Sequence, residues 1–187
     1  MERLRNFDQI RQTVITPYYL EKHPTSVLIE IGLTKVLCAV TLDDKVPFFL
    51  KNKDTGWITA EYSMLPCSGN NRNNREVGNR RNGRNMEIQR LIGRSLRTAF
   101  DLRFLKDKTL TIDCDVIQAD GGTRTAAITG SYVALHLAIR SLIDKRILKQ
   151  NPLLNKSIIF LLFHFIWNGK IREVLRHLNR FFGIMTF

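Results

Sequence analysis

Carboxylates are scarce in this sequence, where 17 Asp and Glu face 29 Lys and Arg for a formal charge of +12. Solubility needs far less, so a polyanion, nucleic acid first, is the expected partner. The plainer alternative is a basic protein from a lineage with biased codon usage, and clustering of the charge decides between them. Cysteine is also sparse. Cys38, Cys67 and Cys114 are odd in number, widely separated and without a C-x-x-C spacing, which argues against a disulfide framework or a zinc site. Reduced thiols in a cytoplasmic protein are the simplest expectation. No long hydrophobic run is present: residues 1–6 contain no apolar core of a signal, and the apolar stretch 157–167 is far short of the ~20 residues a bilayer span needs. The expectation is a chain that is neither secreted nor membrane-spanning. With 44% hydrophobic and 25% charged residues, 187 residues suffice for one packed α/β domain.

Residues 27–31 and 36–40 are rich in β-branched side chains and flank Gly32-Leu33-Thr34, which predicts a β-hairpin. After a polar, Lys-rich stretch at 45–54, residues 57–62 predict another strand. Composition then changes abruptly. Between Cys67 and Asn85 lie five arginines (Arg72, Arg75, Arg80, Arg81, Arg84), seven asparagines and a single acid, Glu76. Such a segment cannot be core, and it predicts an exposed loop, either merely solvated or basic for a purpose. Residues 86 to about 105 have helical spacing, with Ile88, Leu91, Ile92 and Ala99 on a buried stripe and Arg90, Arg94 and Arg97 on another face. Strand alternation over 109–118 puts Leu110, Ile112, Cys114 and Val116 on one side and Thr111, Asp113 and Asp115 on the other. A long apolar helix follows from Ala126 to about Lys149, with small residues near its start that let another element approach closely. From Asn155 the chain is rich in phenylalanine and carries five basic residues and one acid, without strand alternation or turn chemistry.

The strongest chemical signal is a strand, then Gly121-Gly122-Thr123-Arg124-Thr125, then a helix. Glycines permit a tight turn and close backbone approach, the helix start offers unpaired N–H groups at its positive end, and Arg124 adds a full charge. That is an anion site in outline. Locally, the alternative is a plain turn with Thr123 or Thr125 as cap. Asn82-Gly83-Arg84-Asn85 also enters a helix and would bring a second guanidinium to the same anion if the two helix starts converge. His23, His136, His164 and His177 are scattered, which argues against a histidine metal site or nucleophile–base pair. Asp113 and Asp115 share a strand face, where a metal-binding and a structural role are both open. Cys38 and Cys114 read as small apolar packers.

Several long segments, in order, resemble the bacterial ribonuclease PH family. They are Asp8-Gln9-Ile10-Arg11, Lys22-His23-Pro24-Thr25-Ser26-Val27-Leu28, Thr34-Lys35-Val36-Leu37-Cys38, and residues 56–66, 86–97 and 113–130. The resemblance is collinear to about residue 152. It implies an α/β fold of ribonuclease PH type, a β-α-β domain whose mixed sheet packs against helices, over 1–154 and incomplete at the C-terminus. Residues 155–187 form a divergent tail. It also implies a ring-shaped homohexamer, a trimer of dimers, and a phosphorolytic 3′ exoribonuclease that trims tRNA precursors and other RNA 3′ ends. Carried onto matching positions, Arg84, Gly122, Thr123 and Arg124 would hold inorganic phosphate, the co-substrate, while Arg72 and Arg75 would serve RNA or the dimer contact. Magnesium is the implied metal.

The family's later acidic motif, of D-L-x-Y-x-E-D-S type, has no counterpart here: after Leu154 the lone carboxylate side chain is Glu173, so no catalytic acid or metal ligand is assigned. The abrupt loss of resemblance suggests a shift of reading frame near 153–157, which translation of the downstream genomic sequence in the other two frames would test. Cys67 replaces a residue that is usually basic in the family, and a basic amphipathic helix at 170–182 competes with accidental sequence there. Two functional readings follow: an active exoribonuclease, and a non-catalytic RNA-binding or ring-forming subunit.

Overall fold

A computed structural model describes residues 11–75 and 82–154. The divergent tail with its amphipathic stretch and Glu173, and Glu76, Arg80 and Arg81 of the basic loop, lie outside the described residues.

Among the described residues five strands form one mixed sheet in the order β1-β2-β3-β5-β4. Strands β1 (Thr13–Pro17), β2 (Val27–Ile31) and β3 (Thr34–Asp43) run antiparallel in sequence, and β3 continues antiparallel to β5 (Thr109–Gln118). Strand β4 (Trp57–Met64) lies parallel to β5, and helix α1 (Gly83–Arg97) makes the crossover between them, as a parallel pair requires. Helix α2 (Thr123–Asp144) then returns over the sheet. The expected β-α-β architecture with a mixed sheet against helices is therefore present.

Alternation along the strands explains where the core sits. Val36, Cys38 and Val40 of β3, Leu110, Ile112, Cys114 and Val116 of β5, and Ile58, Ala60 and Tyr62 of β4 are buried beneath the helices. α1 contributes Ile88, Ile92 and Leu96 to the same cluster. Helix α2 has the length and hydropathy of a membrane span, yet 78% of that window is buried within the fold, so here it is the core helix. Its close approach to the sheet depends on Gly130, where an added Cβ would stand 2.7 Å from the Cys38 sulfur and 2.8 Å from Ile29 Cγ2. Cys38 and Cys114 are free, buried and paired across β3 and β5, and the neighbouring Cys114 thiol together with burial pushes the Cys38 thiol well above its usual range. They pack as small apolar residues.

Helix ends differ from the periodicity-based bounds. α1 begins at Gly83 rather than 86, because Asn82 supplies a cap, and it ends at Arg97, followed by a separate short turn at Leu102–Leu105. The apolar spacing that continues to 105 belongs to this turn, whose Leu105 is buried. α2 starts at Thr123 and stops at Asp144, before the last expected turn. Nor do the three arginines of α1 form one row. Arg90 and Arg94 are exposed, but Arg97 folds over the β4 edge, donates to the Ile58 carbonyl at 2.8 Å and lies 4.3 Å from the Trp57 ring centroid.

Candidate anion-binding site

The site forms where the end of β5 turns into α2. Gly121 and Gly122 both occupy left-handed backbone, with φ of +76° and +72°, a region that L residues with a Cβ seldom enter. Gly122 is the residue preceding α2, and no side chain caps that helix start. Thr125 instead donates back to the Gly122 carbonyl at 2.7 Å, and the Thr123 hydroxyl accepts from the buried Tyr62 hydroxyl at 2.9 Å. Neither threonine is an N-cap. The helix therefore presents its first amides and the positive end of its dipole without a side-chain acceptor of its own.

Tyr62 of β4 bonds one of the arginine-bearing helices and feels the charge of both. Burial pushes its phenol up, while its bond to Thr123 and the positive charges of Arg84 and then Arg124 pull it back down. Both guanidinium groups thus bear on one buried hydroxyl. An ion pair joins the two helices near their starts: Arg124 Nη2 lies 3.3 Å from Glu87 Oε2, with both side chains about half exposed. Being half exposed, this pair is weak and leaves Arg124 free to exchange Glu87 for a stronger anion. The starts of α1 and α2 are thus neighbours through Arg124 and Glu87.

The turn itself is braced from a distant part of the chain. Arg11 donates from Nη1 to the Asp120 carbonyl at 2.8 Å and from Nη2 to the Gly121 carbonyl at 3.1 Å. Thr34 donates to the same Gly121 carbonyl at 2.6 Å and accepts the Asp120 amide at 2.9 Å. Fixing the backbone of one residue costs about 1–2 kcal/mol, and a hydrogen bond to a charged group contributes roughly 1.5–3 kcal/mol, so the brace is of the size needed to offset ordering two glycines. Sequence reasoning missed Arg11, Thr34, Tyr62 and Glu87. Each was visible only as part of a longer motif, since nothing local marks a partner some forty to a hundred residues away.

The other expected residues divide. Arg72 and Arg75 are exposed on the described part of the basic loop, whose root is held by Ser68: its carbonyl accepts the amide of Ala119, two residues before Gly121, at 2.7 Å. The loop therefore leaves the body beside the turn. Asp113 and Asp115 lie on the opposite face of the sheet from the helices, so the sheet separates them from Arg124. Burial pushes both carboxyls up, the charge of Asp115 adding at Asp113 and that of Glu61 at Asp115. Among the described residues no group of three or more His, Cys, Asp or Glu could hold a metal ion. His23 is exposed, and His136, half-buried on α2, has an interaction partner.

Two cationic side chains, a glycine turn and a helix start that no described side chain caps thus lie near an exposed basic loop in a protein of mixed α/β fold. Residues 9–141 match the 3′ exoribonuclease family, domain 1, and the chain belongs to that family. It is 54% identical over 149 residues to the ribonuclease PH of Dehalococcoides mccartyi strain 195, covering 79% of this chain and 62% of that protein. The ribonuclease PH of strain BAV1 is 53% identical over the same length and coverage. The chain thus spans about three fifths of the length of these relatives. Among solved structures, the Archaeoglobus fulgidus exosome with RNA bound to its active site is similar with a TM-score of 0.62 at 22% identity, covering 81% of this chain and 62% of that one. Rice Rrp46 is similar with a TM-score of 0.59 at 21% identity, covering 72% and 59%. These structural likenesses concern the fold.

Proposed function

We propose that this chain is a phosphate-dependent 3′–5′ exoribonuclease that shortens tRNA precursors and other RNA from the 3′ end, with Arg84, Gly122, Thr123 and Arg124 holding the phosphate. The observation that carries the reading is the left-handed Gly121-Gly122 turn opening α2 without a side-chain cap beside Arg124, with Arg84 near enough for its charge to act, like that of Arg124, on the Tyr62 hydroxyl that bonds Thr123. Family membership supports it, as does the ribonuclease PH name of its relatives.

In phosphorolysis an oxygen of hydrogen phosphate attacks the terminal phosphorus, and the bond from that phosphorus to the 3′ oxygen of the penultimate nucleotide breaks. The terminal nucleotide leaves as a nucleoside diphosphate, and the proton of the phosphate balances the departing 3′ oxygen. The difficulty is to bring two anions together. Unit like charges 4 Å apart repel by about 4 kcal/mol near a protein surface, so cations and amide dipoles positioned beforehand lower the barrier by approximation and by stabilising charge at phosphorus. Arg84, Arg124 and the α2 amides suit that task. Arg72 and Arg75 would carry RNA or a subunit contact, and assembly as a homohexamer belongs to the same reading. Magnesium is part of it too, although among the described residues no group of three or more His, Cys, Asp or Glu gathers to hold it. Free thiols at Cys38, Cys67 and Cys114 suit a reducing cytoplasm.

The full chain, incubated with a 3′-extended tRNA, magnesium and inorganic phosphate, is expected to release nucleoside diphosphates. Arg124→Ala should lower that release by about a hundredfold or more, the scale on which loss of one preorganised donor to a reacting anion is felt. Absence of phosphate-dependent release at any enzyme concentration would sink the reading. RNA binding that weakens with salt yet never leads to turnover would instead favour a non-catalytic RNA-binding or ring-forming subunit.

A further inference from the structure

We infer that Arg11 and Thr34 are positioning residues for the anion cradle, acting as a two-point clamp on the carbonyls of the Gly121-Gly122 turn. The inference rests on the phosphate reading above and adds the groups that set the shape of the cradle without touching its ligand.

Two glycines in series have no intrinsic preference between left- and right-handed backbone, so their φ values of +76° and +72° must be imposed from outside. The clamp supplies that constraint. Gly121 O receives bonds from both Arg11 and Thr34, at 3.1 and 2.6 Å, which occupies both of its lone pairs. Asp120 O receives the other Arg11 nitrogen at 2.8 Å, and the Asp120 amide is held by Thr34 at 2.9 Å. In a trans peptide the C=O and N–H vectors are antiparallel. Pinning the carbonyls of Asp120 and Gly121 therefore aims the amides of Gly121 and Gly122 away from the clamp, and it sets the direction in which α2 starts.

Burial strengthens the arrangement. Thr34 is buried and the Arg11 side chain retains 17% of its exposure, so these bonds are screened less than the exposed Arg124–Glu87 pair. Arg11 also fills the space that the missing side chain of Gly122 leaves, since a Cβ there would stand 2.5 Å from Nη2. Glycine at 122 and arginine at 11 are thus a matched pair. The clamp also joins parts remote in sequence, the chain just before β1 and the first residue of β3 to the turn after β5, so the cradle exists only once β3 has paired with β5.

The test uses the full chain and two titrations, inorganic phosphate by isothermal titration calorimetry and a 3′-extended RNA by fluorescence anisotropy at fixed salt. Arg11→Gln and Thr34→Val should each weaken phosphate binding by about tenfold, the loss of one or two hydrogen bonds, while RNA affinity changes by less than about threefold, the loss of one charge among many. Thr34→Ser, which keeps the hydroxyl, should restore phosphate binding, a rescue that a packing role for the threonine methyl would not show. Thermal melts identify a variant that has not folded. Should Arg11→Gln be one, the near-isosteric Thr34→Val against Thr34→Ser carries the test. Folded clamp variants that bind phosphate like the parent, while Arg124→Ala does not, would overturn the inference and leave the phosphate reading standing. No phosphate binding by the parent itself would remove the phosphate reading and the clamp with it.

Discussion

Helix α1 begins behind Asn82, whose side-chain oxygen accepts the Arg84 amide at 2.9 Å, whereas α2 begins behind Gly122, which has no side chain with which to cap. Both starts carry an arginine, and both bear on Tyr62. At α1 the chain satisfies one of the orphan amides itself, so Arg84 offers an anion chiefly its guanidinium. At α2 nothing comparable intervenes, and the amides, the dipole and Arg124 all remain on offer. A capped start is a structural solution, while an uncapped start held rigid by a remote clamp is a binding one.

This contrast can be broken most severely at Gly122. Gly122→Ala forces a Cβ both into left-handed backbone and against Arg11, and strain of this type costs of order 1–3 kcal/mol. Phosphate binding is expected to disappear from the calorimetric titration while urea unfolding shows a smaller, measurable loss of stability. Unchanged phosphate binding would show that the turn is not the cradle. Next in size is Tyr62→Phe, which removes the hydroxyl that joins β4 to the start of α2 and leaves Thr123 without that donor. A loss of about 0.5–1.5 kcal/mol in unfolding free energy is expected, with weaker phosphate binding as Thr123 at the start of α2 is less firmly held. A variant as stable as the parent that binds phosphate equally well would show that the link is incidental.

The smallest effect sharpens the comparison from the other side. Asn82→Ala should destabilise α1 by about 1 kcal/mol, as cap removals do, and leave phosphate binding nearly intact, because the cap faces the helix's own amide. Phosphate binding that falls as far as in Gly122→Ala would make the two starts equivalent. Urea unfolding and calorimetry on one preparation measure both quantities.

Much of this was legible residue by residue. The period-two pattern of Leu110, Ile112, Cys114 and Val116 placed β5 on the correct face, Gly32 and Leu33 separated the hairpin strands, and the glycine pair before a small-residue helix marked the turn that opens α2. Less legible were the helix ends. Asn82 lay inside what read as loop, and its capping role depends on backbone geometry at one residue. Arg97 read as the third of a row, because helical spacing cannot show that the β4 edge and the Trp57 ring lie within its reach.

The amino-acid sequence by itself determined the alternation of each strand, the apolar character of α2 and the glycine turn with its arginine, because these follow from local periodicity and from which residues tolerate left-handed backbone. Only the tertiary structure decided that the charges of Arg84 and Arg124 both act on Tyr62, that Asp113 and Asp115 lie behind the sheet from both, and that Arg11 and Thr34 grip a turn 86 or more residues away. The reason is geometric: strand pairing brings together chain segments whose separation along the sequence leaves no periodic trace.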